Sequence, residues 1–364
     1  MRLLRSLTLC LLFVPAMYCV AQDEAPSVPI DDAQRKAVIE VLGQKLKDNY
    51  VFPDVANKVA TELAAKAASG GYDADKDTNS FAHALTKDLH ATANDLHFEV
   101  DYQPTFKEDP RDDQPPSKEE LDEIRSEATR MGFGIAKVQR LPGNVGYLDI
   151  RAFFLGDFVA SAYGSAINLL SGTDALILDL RQNGGGDPHA VAVLLSYFFP
   201  EGDNRHLNDL YWRPGNRTQE YWTIPVPGPR YTKPVYVLTS PVTFSGGEEC
   251  AYDFQTQKRG TLIGQTTGGG ANPGGGFSLG HGFAIFIPTG RAINPITKTN
   301  WEHVGVKPDI VVPAADAFKT AYVTILKTQI AKTKDREELK RLNEVLARAK
   351  KGEDEKPNYT PPQP

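Results

Sequence analysis

The chain has 364 residues, 41% hydrophobic and 24% charged, with a formal net charge of −6 at pH 7. That is enough apolar material for one large packed domain or two smaller ones. An acidic balance without a Lys/Arg cluster speaks against nucleic acid as a partner.

Residues 1–21 form an object of their own. Arg2 and Arg5 precede the apolar run Leu7 to Val14, and small residues follow to Ala21. This is the pattern of a secretory signal peptide, whose loss would take the net charge from −6 to −8. The run is too short to span a bilayer, and no other segment is long and apolar enough to do so. The expected location is therefore periplasmic or secreted. Cys19 raises a lipoprotein reading, but Tyr18 stands where such signals carry a small residue. Cys10 and Cys19 leave with the signal, so Cys250 remains alone and no internal disulfide is expected.

Residues 30–100 read as an N-terminal helical domain. Asp32 can cap a first helix that places Ile39, Leu42 and Leu46 on one face. A second helix starts at Pro53 and stops at Gly70-Gly71, and a third turns Phe81, Leu85 and Leu89 inward. Residues 101–131 are polar and contain prolines, as in a linker or exposed excursion. Over 132–315 the period changes. "NVGYLDI", "ALILDL", "PVYVLTS" and "TLIG" are short and apolar like buried strands. Helical segments at Gly156–Leu170, Pro188–Phe199 and Gly246–Lys258 alternate with them, so the class is α/β. A glycine loop leads into a hairpin before Gly290. Residues 316–350 read as charged helices and 351–364 as a disordered tail.

Two stretches carry chemistry. In "LTSPVTFSGGEECAYDF" a strand ends, Ser245 occupies the turn, and Gly246 and Gly247 open a helix. A serine so placed is either an N-cap with Glu248 completing a capping box, or a nucleophile whose neighbouring N–H groups meet developing negative charge. In "LILDLRQNGGGDPHA" a buried strand ends in Asp179-Leu180-Arg181, and three glycines precede a helix. Either Gly185 or Gly186 is placed to offer an N–H to an anion. The Lys-Ser/Thr of a phosphate loop does not follow.

With "GYLDI", "LIGQTTGG" and "WEHVGVKPDIVV", these motifs occur in an order that resembles the S41 peptidases, the tail-specific or C-terminal processing proteases. The resemblance covers about Gly143 to Pro313 and more loosely the part from Ala33, and it leans toward the branch of tricorn core domains and interphotoreceptor retinoid-binding protein modules. It implies a crotonase/ClpP-like α/β spiral preceded by a helical bundle. It also implies Ser245 as nucleophile, with an oxyanion hole from the N–H groups of Gly246 and Gly185.

A serine hydroxyl needs a base. The processing proteases supply a lysine in a "T-F-G-K-G" turn, which here reads "TTGGGAN", with Gly268, Gly269 or Gly270 at that place. The tricorn-like branch supplies a histidine in a "D-x-H" motif, and "NDLHFEV" offers His97. The resemblance makes Glu302 the carboxylate that orients His97. Asp309 and Glu249 read as a turn residue and a helix-dipole residue. His83, His90 and His97 are spaced by seven, but the companions of a metal site are missing, so no metal and no cofactor are expected. The segment 104–131 is too short for a PDZ module. The expectation is an exported serine endopeptidase acting on peptides or proteins. The alternatives are a non-catalytic binding protein for apolar ligands of retinoid or fatty-acid type, and a hydrolase for a non-peptide ester.

Overall fold

The computed structural model of the protein describes residues 25–108 and 116–353. The expected signal peptide lies outside them, as does the tail from residue 354. The helix α1 (Asp32–Asn49) starts one residue earlier than expected, because Asp31 is the cap and Gln34 completes a capping box. The helix α2 (Pro53–Ala68) opens on its proline, and α3 (Thr78–Ala93) is capped by Asp77. The left-handed Asn94 (φ 56°) ends α3 and turns the chain into β1 (Glu99–Tyr102). Within the stretch read as a linker, Ser117 and Glu120 form a capping box and start α4 (Lys118–Arg130). Local helix chemistry outweighs the polar composition there.

The catalytic region continues with β2 (Ile135–Leu141), β3 (Val145–Ile150), α5 (Gly156–Leu170), β4 (Ala175–Asp179) and α6 (Pro188–Ser196). Next come β5 (His206–Trp212), β6 (Arg217–Trp222), β7 (Val235–Thr239), α7 (Gly246–Thr256) and β8 (Thr261–Gly264). Then follow β9 (Gly274–Gly280), β10 (Phe283–Pro288), β11 (Gly290–Ile293), β12 (Ile310–Val311), α8 (Ala314–Lys332) and α9 (Arg336–Lys351).

The main sheet has the order β12-β8-β7-β4-β3-β2. All its pairings are parallel except that of β2 with β3. Every residue of β3 and β4 is buried, which explains their unbroken apolar runs. Leu148, Ile150, Leu176 and Leu178 face a core shared with α5, α6 and α7. Val145, Tyr147, Ile177 and Leu238 face the opposite layer, made by α8 and α9. Each such side chain, taken from water, contributes roughly 1.5–3 kcal/mol.

The N-terminal helices do not close a core by themselves. Leu42, Leu46, Phe81 and Leu85 pack with Phe277, Leu279, Phe283 and Ile285 of the β9–β10 hairpin. Strand β1 extends that hairpin antiparallel, with Glu99 opposite Phe286 and Val100 opposite Ile285. This pairing carries the segment before β1 to the end of the main sheet where β4 and β7 terminate.

Candidate active site

The turn after β7 is sewn to the turn after β4. Thr243 Oγ1 donates to the Leu180 carbonyl at 2.8 Å, and Phe244 N donates to the Asn183 carbonyl at 3.0 Å. Ser245 follows with φ 49° and ψ −121°, a backbone conformation that is strained for any residue but glycine. The capping box with Glu248, offered by the sequence as the alternative reading, is present at the same turn. The glycines are there because two backbones touch. A Cβ on Gly246 would sit 2.9 Å from Gly186 O and 3.0 Å from Gly186 N. One on Gly185 would sit 2.8 Å from Ser245 Cβ and 2.9 Å from Gly246 N. Both glycine turns singled out in the sequence therefore meet at Ser245.

Their N–H groups differ. That of Gly185, the expected oxyanion donor, is held by Asn183 Oδ1 at 2.8 Å. Phe153 N donates to Gly185 O and Phe153 O accepts from Asp187 N, each at 2.8 Å. Gly186 forms a bridge with Phe153 that leaves its own N–H out of that exchange.

Glu248 is buried on the first turn of α7. Its carboxylate accepts from Ser245 N at 3.0 Å, Gly269 N at 2.7 Å, Gly270 N at 2.8 Å and the Thr267 hydroxyl. Burial pushes its carboxyl up to about 7, against these four donors. The group therefore ties the nucleophile turn to the "TTGGG" loop, a role that its reading as a helix cap missed. The loop itself has no room for a lysine. A Cβ on Gly270 would lie 2.3 Å from Phe244 Cζ and 2.7 Å from His97 Cε1. One on Gly268 would lie 2.8 Å from Phe244 Cδ2, and Gly269 is left-handed at φ 90°. The space beside Gly270 is taken by the Phe244 ring and the His97 imidazole.

His97 is 4% exposed. Its ring packs on Phe244, the residue before Ser245, with centroids 4.6 Å apart, and on Phe286 at 6.2 Å. Neither ring nitrogen has a hydrogen-bond partner, so no hydrogen bond joins His97 to Ser245, although the ring lies against the residue before it. The carboxylate nearest the ring is Asp95, the acid of the "D-x-H" spacing. Its Oδ1 lies 3.6 Å from His97 Nδ1 and accepts the His97 backbone N–H at 3.1 Å. Its Oδ2 accepts from Tyr50 OH at 3.1 Å and Asn272 Nδ2 at 2.8 Å. Burial raises the Asp95 carboxyl, but His97 and Asn272 more than offset this and hold it below the usual range.

Glu302 belongs to the same cluster. One ligand-type atom from each of Asp95, His97 and Glu302 lies within 4.8 Å of the others. Its Oε2 accepts from Ala271 N, and its Oε1 lies 3.4 Å from His303 Nδ1. Burial first, and then Asp95, pushes the Glu302 carboxyl up to about 9. An unfolded glutamate ionises near 4.3. Between these values the native state holds a proton that the unfolded chain has lost, so stability falls as pH rises. The Glu302→Gln variant is expected to match the wild type near pH 4 and to exceed it at pH 8, by up to about 5 kcal/mol, in urea unfolding.

The remaining residues that drew notice have structural roles. His90 Nε2 bonds the Phe98 carbonyl at 2.7 Å, so the seven-residue histidine spacing reflects packing. Asp309 Oδ2 accepts from Leu262 N at 2.8 Å and fixes the start of β8. Cys250 is wholly buried on α7, and burial pushes its thiol well up.

A family model described as "Peptidase family S41" matches residues 144–312, and one described as "N-terminal domain of Peptidase_S41 in eukaryotic IRBP" matches residues 21–131. The carboxyl-terminal-processing protease of Synechocystis sp. is 31% identical over 178 residues, 47% of this chain and 39% of that protein. The chain thus spans about two fifths of that curated relative's length. Among solved structures, a protein from Parabacteroides merdae described as a peptidase is 18% identical with TM-score 0.55, over 80% of this chain and 96% of that one. A lipoprotein from Streptococcus agalactiae is 15% identical with TM-score 0.51, over 83% and 98%. The tricorn protease is 13% identical with TM-score 0.50, over 79% and 35%. At such identities the likeness is one of fold, and it agrees with the expected α/β core behind a helical bundle. The chain thus carries an S41-family peptidase domain over residues 144–312, preceded by an S41-type N-terminal domain over residues 21–131.

Proposed function

We propose that the protein is an exported serine endopeptidase in which Ser245 attacks the peptide carbonyl and His97 takes the hydroxyl proton. The observation that carries this reading is the meeting, at one strained serine elbow, of two open glycine backbones and a buried imidazole backed by carboxylates. His97 returns the proton to the leaving amine, and water then releases the acyl group from Ser245. The Ser245–His97 hydrogen bond forms as the ring leaves Phe244 on substrate binding, since such contacts tighten in the productive complex. Asp95, already ionised, orients His97, while Glu302 is a neutral carboxylic acid at neutral pH. Gly246 and Gly186 supply the oxyanion N–H groups, Gly185 being spent on Asn183; each is worth about 2.7–4 kcal/mol in the transition state. Export rests on the signal-like residues 1–21.

Three of the exposed large apolar side chains lie within three residues of site residues in sequence: Leu96 beside His97, Val242 before Ser245 and Val304 after Glu302. They suit a cleft for apolar stretches of a substrate, and they also suit the second reading, a carrier of apolar ligands. A fluorophosphonate probe separates the two. Labelling of Ser245 that disappears in Ser245→Ala and His97→Ala is the expected result. Absence of labelling together with saturable binding of retinol or a fatty acid would establish the carrier instead.

A further inference from the structure

We propose that the cluster of Asp95, His97 and Glu302 is also a binding site for a zinc-type divalent cation, and that the cation switches the peptidase off. The inference rests on the peptidase reading for its consequence, but the site stands on its own geometry. Three residues of the types that hold zinc place one ligand atom each within 4.8 Å of one another. Zinc bonds of 2.0–2.2 Å in tetrahedral arrangement put neighbouring ligand atoms about 3.4 Å apart. His97 Nδ1 and Asp95 Oδ1 already stand at 3.6 Å.

The second observation is the number of unspent polar atoms. Both ring nitrogens of His97, Oε1 of Glu302 and Oδ1 of Asn272 are buried without a hydrogen-bond partner. Buried polar groups rarely stay unpaired. Here two acidic side chains and an imidazole share one buried cluster, and a cation that displaces the Glu302 proton gives all three residues a common partner. The outer support is also present. Tyr50 OH and Asn272 Nδ2 hold Asp95 Oδ2, and Ala271 N holds Glu302 Oε2, the way ligating carboxylates are usually oriented. His303, 43% exposed and 3.4 Å from Glu302 Oε1, marks the side open to solvent.

The inhibition follows from the imidazole's two nitrogens. A neutral ring has one lone pair and one N–H. A cation on Nδ1 takes the lone pair and leaves Nε2 carrying the proton, so the ring cannot accept another from Ser245. A cation on Nε2 blocks the same nitrogen directly. Either way the base is lost and returns when a chelator removes the metal.

The test is a zinc titration of the metal-free, full-length Ser245→Ala protein against a chromogenic chelator. The expected result is one zinc per chain, with affinity reduced about tenfold or more in Glu302→Gln and about 100-fold or more in His97→Ala on that background. Cobalt in the Ser245→Ala protein itself should give a visible d–d absorption, a readout that needs no further folded variant. Absence of stoichiometric zinc, or equal affinity in all three proteins, would overturn the site. In wild type, zinc should slow fluorophosphonate labelling of Ser245, and a chelator should restore it; labelling that bound zinc leaves unchanged would overturn the switch. Zinc binding in a metal-free protein that never labels would count against the peptidase reading and leave the cation site intact.

Discussion

The His97→Ala variant is expected to hydrolyse a peptide substrate with kcat/KM lowered by about 10³–10⁴-fold, with KM little changed. The serine hydroxyl keeps its elbow, its Glu248-anchored N–H and its glycine neighbours, because none of these depends on the imidazole. What disappears is the group that removes the proton. A lysine cannot take over, since Gly268, Gly269 and Gly270 border on Phe244 and His97 or have a backbone that disfavours side chains. Steady-state kinetics, with the urea midpoint to confirm folding, checks this. Activity within tenfold of the wild type would assign the base to another residue.

The second expected result is a contrast between two carboxylates. Asp95→Asn should lower kcat by about 10³-fold or more, because an amide facing Nδ1 loses the charge that holds the tautomer and stabilises the imidazolium. Glu302→Gln should lower it by less than about tenfold, since a carboxyl pushed up to about 9 is already neutral at pH 7 and an amide replaces it at the same size. A reversed order of the two variants would return the orienting role to Glu302.

Much of this site was legible in the sequence because its parts are local. The strand–Ser–Gly-Gly and strand–Asn–Gly-Gly-Gly turns each announce a close backbone approach within a few residues, and the structure brings the two together at Gly185, Gly186 and Gly246. The parts that stayed hidden depend on pairing across the chain. Asp95 sits two residues before His97, yet its importance comes from Tyr50 and Asn272, the latter 177 residues away. Glu248 fitted a capping box so well that its reach to Thr267, Gly269 and Gly270 had no local sign. Which glycine keeps its N–H available turns on one side-chain bond from Asn183, and no spacing rule contains that. The helix from Lys118 to Arg130 did have a sign, Ser117 with Glu120, that polar and proline-rich surroundings obscured.

The pairing of β1 with β10 bears on what the smallest working unit is. The segment matched by the peptidase family, 144–312, includes Ser245, Glu302 and both glycine turns but stops short of the imidazole, which only the leading helices deliver. A polypeptide that began at residue 132 would lack His97 and would leave Phe277, Leu279, Phe283 and Ile285 without the helices they pack on. On the proposed mechanism, the base is in place only when helices α1–α3 are docked on the β9–β10 hairpin.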